Sequence, residues 1–216
     1  MADCEPSIND FFPQIFEFAE FVLIKASPLL DIQQGLNELP SVKKVIVVSV
    51  SNECKELLFL LQNGFSGEPI IETYNLDKLG NMKQLFSFAF DEERNTTSDF
   101  SEPQTYLYEP NASILKAGAF KMIGGKFGLQ KLHVNTHFYT STLLKENFPG
   151  RIFKINQLEF ESKTFAEKKA NVITRNYPLK AEELKKKLKL SDGGEKYIIG
   201  FSSVKKKYVA LATRLV

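Results

Sequence analysis

The chain has 216 residues, of which 43% are hydrophobic and 25% are charged, a composition typical of a folded globular protein. It has no run of 18 apolar residues, so we expect no transmembrane helix. Met1–Pro6 lacks the basic segment of a secretory signal peptide. Two cysteines, Cys4 and Cys54, cannot build a disulfide framework, and we therefore expect a reducing, cytoplasmic location.

The net charge of +2 conceals two halves of opposite sign. Residues 1–100 contain 7 basic and 16 acidic side chains, a net charge of −9. Residues 101–216 contain the other 21 basic and 10 acidic side chains, a net charge of +11. A basic half is the surface that a polyanion would meet. The alternative is that the two halves attract each other, and the composition leaves both possibilities open.

The pattern of residues 21–61 predicts alternating strands and helices. The apolar run 21–25 indicates a buried strand, and Leu residues at helical spacing within 29–39 indicate a helix between two prolines. Residues 42–50 predict a second strand, buried on both faces. Asn52 would cap a helix over 52–61. This order predicts a parallel α/β sheet.

The rest of the chain predicts a mixture of strands and helices. Extended segments are expected at 69–76 and 84–90, and a loop at 91–104. A strand at 105–110 would lead into a helix that Asn111 caps and that glycines end near Gly128. Further predictions are listed in chain order: extended segments near 132–140 and 151–160, an extended segment at 171–175, a helix at 179–190, and a hairpin at 196–215 that turns near 203–206.

The most conspicuous chemical feature is a basic run near the C-terminus. Residues 163–189 contain nine basic and three acidic side chains. Glu182 and Glu183 lie four residues before Lys186 and Lys187, so ion pairs on a solvated helix explain part of the run. The remaining surplus indicates a surface for the phosphates of nucleic acid, since each neutralised phosphate releases a counterion. A merely solvated helix face stays the alternative.

Three other motifs give weak indications of chemistry. The sequence IGGKFG (123–128) lacks the Ser or Thr of a phosphate-binding loop and follows a predicted helix, so it is read as a helix end. His133 and His137 lie in a predicted extended region with no third ligand nearby, and no metal site is expected. The sequence KASPLLD (25–31) follows a predicted parallel strand, where open α/β sheets bind ligands, although a capped turn explains it equally.

Five segments together resemble a known family. They are DCEPSINDFF (3–12), VLIKASPLLDI (22–32), VIVVSVSNECKELLFLL (45–61), YLYEPNASILKAGAF (106–120) and KKANVITRNYPLKAEELKKKLKLSDGGEKYI (168–198). The chain resembles the C-terminal part of bacterial, Bacteroidetes-type class I S-adenosylmethionine-dependent methyltransferases that end in ferredoxin-like and THUMP-like domains. The resemblance implies a partial Rossmann-like methyltransferase sheet over 1–100, followed by α+β domains, a ferredoxin-like connector over 101–147 and a THUMP-like basic domain over 148–216.

The resemblance also implies roles for particular residues. Four would border the active cleft of an intact enzyme: Lys25, Ser27, Pro28 and Asp31. Eight would face RNA in the C-terminal domain: Lys168, Lys169, Arg175, Asn176, Tyr177, Lys185, Lys186 and Lys187. The family's glycine-rich cofactor loop has no counterpart before residue 21. We therefore expect no complete catalytic site in this chain and no S-adenosylmethionine binding by this chain alone.

The resulting functional hypothesis is that the C-terminal half binds structured RNA, such as transfer RNA or ribosomal RNA, for a methyltransferase. The competing hypothesis is a non-catalytic interaction protein whose basic half docks on a protein partner. A partial sheet exposes a strand edge, so we also expect self-association through residues 1–65.

Overall fold

The computed structural model describes residues 7–163 and 165–216, which form two compact units. The N-terminal unit runs to Asn95 and also includes Asn111–Ala119. The C-terminal unit contains Thr96–Pro110 and Phe120–Val216. The chain therefore passes between the units more than once. Residues 111–119 belong to the N-terminal unit, whereas the residues before and after them belong to the C-terminal unit. Both units are sheet-rich, and the molecule has a mixed α/β fold.

The N-terminal unit is a five-stranded sheet with four short α-helices. In chain order its elements are a 3-10 turn Ile8–Phe11, α1 Phe12–Phe18, β1 Phe21–Ala26, α2 Ile32–Glu38, β2 Val42–Val50, β3 Glu53–Gln62, β4 Ile70–Leu76, β5 Met82–Ala89, α3 Phe90–Asn95 and α4 Ala112–Ala117. The strand order is β1-β3-β2-β4-β5. Only β2 and β4 pair in parallel, whereas β3 pairs antiparallel with both β1 and β2.

The helix predicted at 52–61 is wrong, because this segment is the strand β3. Ser51 and Asn52 both have positive φ and form a tight turn between β2 and β3. Leu57, Phe59 and Leu61 are completely buried, so their burial follows the two-residue period of a strand. The sheet is consequently mixed rather than parallel. Burial also alternates along β2, so only one face of this strand is fully buried, whereas the sequence predicted burial on both faces.

Helix α4 covers one face of the N-terminal sheet. Asn111 precedes it, and the Asn111 side chain accepts a hydrogen bond from the backbone N–H of Ile114 at 3.1 Å, as the sequence predicted. The helix packs on β2 and β4. It ends at Gly118, whose φ of 76° lies in the left-handed region. The single helix predicted beyond Asn111 is therefore two helices, because this residue breaks the run.

The C-terminal unit is a seven-stranded sheet with two helices. Its elements are β6 Tyr106–Pro110, α5 Met122–Phe127, β7 Gln130–His133, β8 Thr136–Ser141, β9 Gly150–Gln157, β10 Asn171–Arg175, α6 Ala181–Leu188, β11 Lys196–Ser202 and β12 Lys207–Arg214. The strand order is β10-β11-β12-β9-β6-β8-β7, and only β10 and β11 are parallel. The predicted strands, the helix at 179–190 and the C-terminal hairpin are all present.

The seven-stranded sheet curls strongly. Strand β10 lies at one edge of the strand order, yet it contacts β8 near the other edge. The Thr136 hydroxyl at the start of β8 donates to the carbonyl of Ser202 in β11 at 2.8 Å. The concave side encloses a core that includes Phe138, Phe153 and Phe201. On the opposite side α6 inserts the buried Leu184 against Gly200, where an added Cβ would lie only 3.0 Å from the leucine.

Candidate nucleic-acid interface

Two kinds of basic side chain in the C-terminal unit bear on phosphate binding: those held by carboxylates, and those that face solvent with no carboxylate within 4 Å among the described residues. Glu109 anchors the first group. Its side chain is almost fully buried in β6, and it accepts hydrogen bonds from Nε of Arg151 and from Nε of Arg175, each at 2.7 Å. Both arginines also bring a terminal nitrogen to the same carboxylate. In the Glu109 cluster, composed of these three residues, each oxygen of the buried carboxylate receives two nitrogens of one arginine, and the Arg175 side chain remains 41% exposed.

Arg175 therefore has a structural partner. It lies on β10, which is separated from β6 by three strands in the sheet order. The pair with Glu109 spans the concave side and closes the curl of the sheet, while another nitrogen of the guanidinium donates to the carbonyl of Thr174 at 2.8 Å. Sequence reasoning assigned Arg175 to RNA and did not identify Glu109 or Arg151. A lone glutamate within the apolar strand YLYEP was the available signal, since a buried charge requires a partner.

The two residues after Arg175 are also fixed by the fold. Asn176 has a φ of 48°, and its side chain lies 3.1 Å from the hydroxyl of Thr136 and 3.3 Å from Nδ1 of His133. The ring of Tyr177 packs over Gly200, because a Cβ there would lie 3.0 Å from the ring. These contacts place Asn176 and Tyr177 at the start of the connection to α6 and hold them there.

One lysine of the basic run, Lys185, and one lysine beyond the run, Lys206, are also paired with carboxylates. The ammonium group of Lys185 lies 2.6 Å from Glu182 and 2.7 Å from Asp192, and its side chain is only 13% exposed. Two hydrogen bonds raise the pKa of Lys185, and the one to Asp192 contributes more than the one to Glu182. At the hairpin between β11 and β12, Lys206 pairs with Glu159.

The segment before β10 uses its lysines in loop contacts. Lys168 has a positive φ, donates its ammonium group to the carbonyl of Ser162, and accepts the backbone N–H of Ser191 at 2.9 Å. The side chain of Lys169 lies against Gly193, where a Cβ would be 2.8 Å from its Cε. Both lysines are nevertheless exposed, so they retain access to solvent while they organise the loop.

A second group of lysines lies on the outer side of α6. Lys186, Lys187 and Lys189 are exposed, and their ammonium groups have no carboxylate within 4 Å in the part of the chain that the structure describes. The predicted pairing of Lys186 with Glu182 and of Lys187 with Glu183 is wrong. Glu182 binds Lys185 instead, and Glu183 accepts the backbone N–H of Lys180 at 2.8 Å at the start of the helix. We call Lys186, Lys187 and Lys189 the α6 lysines.

The predicted cleft residues of the N-terminal unit have local partners. Lys25 pairs with Glu56 of the neighbouring strand at 3.0 Å. The hydroxyl of Ser27 accepts the N–H of Leu29 at 3.2 Å in the turn that contains Pro28. Asp31 caps α2 by accepting the N–H of Gln34 at 2.9 Å. This is the capped strand-to-helix turn that the sequence offered as the alternative to a ligand site.

The two histidines make different contacts. His133 contacts Asn135 and Asn176, whereas the ring of His137 stacks on Phe120 with centroids 3.9 Å apart. Burial, followed by the nearby charge of Lys131, lowers the pKa of His137 from its ordinary 6.5 to about 4. Among residues 7–163 and 165–216, no three His, Cys, Asp or Glu side chains converge as metal ligands would. In the same residues, no helix is long and apolar enough to cross a membrane.

Comparison with known proteins defines the domains of this unit. Residues 106–149 match the model of a ferredoxin-like domain, and residues 150–214 match the model of a THUMP domain-like family. The chain therefore contains a ferredoxin-like and a THUMP-like domain. In the fold, their strands are joined through β6 and β9 into one sheet, and the α6 lysines belong to the THUMP-like part.

One solved structure matches the whole chain. It is the crystal structure of a "putative methyltransferase" from Porphyromonas gingivalis, with 33% sequence identity and a TM-score of 0.90. The match covers 100% of this chain and 56% of that chain, so this chain spans just over half the length of that relative. A search of proteins with curated functions gave no significant match.

Proposed function

We propose that the C-terminal unit binds structured RNA, such as transfer RNA or ribosomal RNA, and presents it to a class I S-adenosylmethionine-dependent methyltransferase. The observation that carries this proposal is the set of α6 lysines, which are exposed on a THUMP-like domain and have no carboxylate partner among residues 7–163 and 165–216. An ammonium group without a carboxylate partner can neutralise a phosphate and release its counterion without first breaking an ion pair.

The match to the Porphyromonas gingivalis structure supports the connection to methyl transfer. In this proposal, the methyltransferase that receives the RNA binds S-adenosylmethionine, and the region 25–31 borders its cleft. The RNA would be methylated in the cytoplasm. The turn at 25–31 follows β1, which pairs antiparallel with β3, so the rule that ligands bind at the carboxyl ends of parallel strands does not support this part of the proposal.

The experiment that tests RNA binding is a titration of labelled transfer RNA and ribosomal RNA fragments with the protein at several salt concentrations. We expect binding that weakens steeply as salt rises. Replacement of Lys185, Lys186 and Lys187 together by Ala should weaken binding at low salt. The matched control is replacement of Lys44, Lys55 and Lys83 together by Ala, since these lysines pair with Glu72, Glu53 and Asp77 in the N-terminal unit, and this should leave RNA affinity unchanged.

Absence of RNA binding at low salt would contradict the proposal. It would favour the competing interaction-protein function, in which the α6 lysines meet acidic groups of a protein partner. That alternative predicts a salt-sensitive protein complex and no preference for RNA over other polyanions.

A second proposal concerns self-association of the N-terminal unit. Strand β1 pairs only with β3 among the described strands, and its other edge is unpaired. Phe18, Leu23 and Leu29 near this edge are exposed by 89%, 60% and 92%. An unpaired edge with apolar side chains is a template for pairing with a second copy.

Light scattering at micromolar concentration tests this second proposal. The wild-type chain should be larger than a monomer, and Leu23→Lys should shift it toward the monomer, since charged residues block edge pairing. A monodisperse wild-type monomer would contradict it.

A further inference from the structure

The C-terminal unit contains a cavity beside helix α5. The residues that line this cavity are distant in sequence from the α6 lysines. Its volume is about 210 Å³. Drug-sized sites have volumes of roughly 300 to 1,000 Å³, so this cavity is sized for a smaller, ring-sized group. The segment before β6, helix α5 and the strands β7 and β8 all contribute to it.

Backbone pairing builds the cavity and holds its walls in place. The N–H of Lys131 in β7 donates to the carbonyl of Asp99 at 2.7 Å, and the N–H of Ser101 donates back to Lys131 at 3.1 Å. Across the cavity, the N–H of Leu129 donates to the carbonyl of Gly124 at 2.9 Å as α5 ends. One wall is therefore tied to β7 and the other to the residue just before it, so backbone hydrogen bonds hold both walls.

The glycines of IGGKFG create the space. Gly124 is tightly packed, because a Cβ there would lie 3.3 Å from the ring of Tyr139 and 3.3 Å from the carbonyl of Leu129. Gly125, next to it, is different. An added Cβ would meet only Cγ2 of Thr96, at 3.9 Å. Gly125 thus presents open backbone to the cavity, where any larger side chain would occupy the volume.

The polar lining has unused hydrogen-bonding capacity. Oε1 of Gln130 accepts Nε2 of Gln104 at 2.7 Å, which fixes the orientation of this side chain. The amide nitrogen of Gln130 and the carboxylate of Asp99 have no partner in the described part of the protein. The apolar part of the lining comes from Leu129 and Tyr139, both buried, and the hydroxyl of Tyr139 is already engaged with the carbonyl of Phe120 at 2.6 Å.

Together these groups fit a flat heterocycle that offers N–H donors to a carboxylate and a carbonyl to an amide. Guanine has this edge: its N1–H and N2–H₂ suit Asp99, and its O6 suits the amide N–H of Gln130. Adenine lacks the carbonyl, and uracil offers a single N–H. Unpaired bases are the part of RNA that proteins read by stacking and by such edge contacts.

We propose that this cavity binds an unpaired guanine base of the RNA. The inference rests on the proposed RNA-binding function and deepens it, since the α6 lysines would supply affinity without regard to sequence and the cavity would supply base preference. The motif IGGKFG does not match a phosphate-binding loop. In this proposal its glycines instead expose backbone beside the bound base.

The first test uses isolated nucleotides, so that it does not depend on binding of a whole RNA. The full chain, labelled with ¹⁵N, is titrated with guanosine, uridine and adenosine monophosphates and with ribose 5-phosphate. We expect saturable shifts of the Gly125 and Gln130 signals with guanosine monophosphate and weaker ones with the other nucleotides. Equal shifts from ribose 5-phosphate, or no shift from any nucleotide, would overturn the inference.

Three variants sharpen the test. Gly125→Leu fills the cavity, and Gly125→Ala is its control because the added methyl group meets only Thr96. Asp99→Asn removes the charge and replaces one of the two acceptor oxygens by an NH₂ donor without changing size. Gly125→Leu should abolish the guanosine shifts, and Gly125→Ala should preserve most of them. Asp99→Asn should weaken guanosine binding by roughly tenfold, within the range for loss of one good base contact.

The same variants separate this inference from the proposed function. With an RNA that carries unpaired guanines, Gly125→Leu should lower affinity while leaving its dependence on salt unchanged. If RNA binds and loses affinity only on replacement of the α6 lysines, with no effect of Gly125→Leu, the guanine site is refuted and RNA binding stands. A melting curve of Gly125→Leu that matches wild type confirms that any loss is not due to unfolding.

Discussion

The Glu109 cluster and the α6 lysines use the same type of charge in opposite ways. In the cluster, two arginines converge on one buried carboxylate and hold the sheet in its curled form. On α6, lysines project into solvent with no carboxylate in reach among the described residues. The comparison shows that a count of basic residues does not identify a phosphate-binding surface. Pairing and burial decide which cations are available to a ligand.

The largest effect is expected at the cluster. Glu109→Ala leaves Arg151 and Arg175 facing each other without a counter-charge, and should lower the free energy of unfolding by about 3 kcal/mol, the cost typical of breaking a buried ion pair. Glu109→Gln keeps the shape and one acceptor and should cost less. Urea denaturation measures both. A loss below about 0.5 kcal/mol for Glu109→Ala would mean that the cluster does not hold the sheet closed.

A second effect concerns pH. Since His137 has a pKa of about 4 when folded and 6.5 ordinarily, the unfolded chain binds more protons between these values. Stability should therefore fall as the pH drops from 6.5 to 4, by roughly 2 to 3 kcal/mol in all. The positive charge of Lys131 also contributes to the lowered pKa of His137, after burial of the imidazole ring.

The variant His137→Phe isolates this contribution, because a phenyl ring can retain the stacking on Phe120 and cannot titrate. The difference in unfolding free energy between wild type and variant should change with pH across this window and be constant above pH 7. A constant difference throughout would show that His137 does not bind a proton on unfolding.

The smallest of these stability effects is expected in the N-terminal unit. Asn111 is buried, caps α4, and also donates to Gln84 at 2.9 Å. Asn111→Ala should cost about 1 kcal/mol, as is usual for loss of a helix cap. Asn111→Ser loses the same donor to Gln84 but keeps a capping oxygen, and serves as the control. Thermal denaturation checks both variants, and equal losses would show that the cap is not the reason for the effect.

The sequence predicted the C-terminal strands well because turn-forming residues clearly mark where these strands begin and end. It failed at β3, where Leu57, Leu58, Leu60 and Leu61 fit a helical spacing as well as a strand. Pairing with both β1 and β2 decides in favour of the strand, and a reading of single segments cannot include that contribution. The alternation of Leu57, Phe59 and Leu61 was the signal available.

The site was predicted less completely than the fold. The sequence located the basic run but could not separate its paired members from its exposed ones. The partners Asp192 and Glu159 lie in other elements or loops, and Arg175 finds Glu109 across 66 positions of sequence. Such contacts depend on the curl of the sheet, which no local pattern encodes.

The most direct test of the central claim compares two double variants in RNA binding as a function of salt. Lys186→Ala with Lys187→Ala removes unpaired charges, whereas Lys185→Ala with Lys206→Ala removes the same formal charge from ion-paired positions. We expect the first variant to reduce the slope of log affinity against log salt by about 1.4 to 1.8, or 0.7 to 0.9 per lost phosphate contact, and the second to leave it nearly unchanged. Equal changes in the two variants would contradict the account, because exposure and lack of pairing would then not determine which lysines meet phosphate.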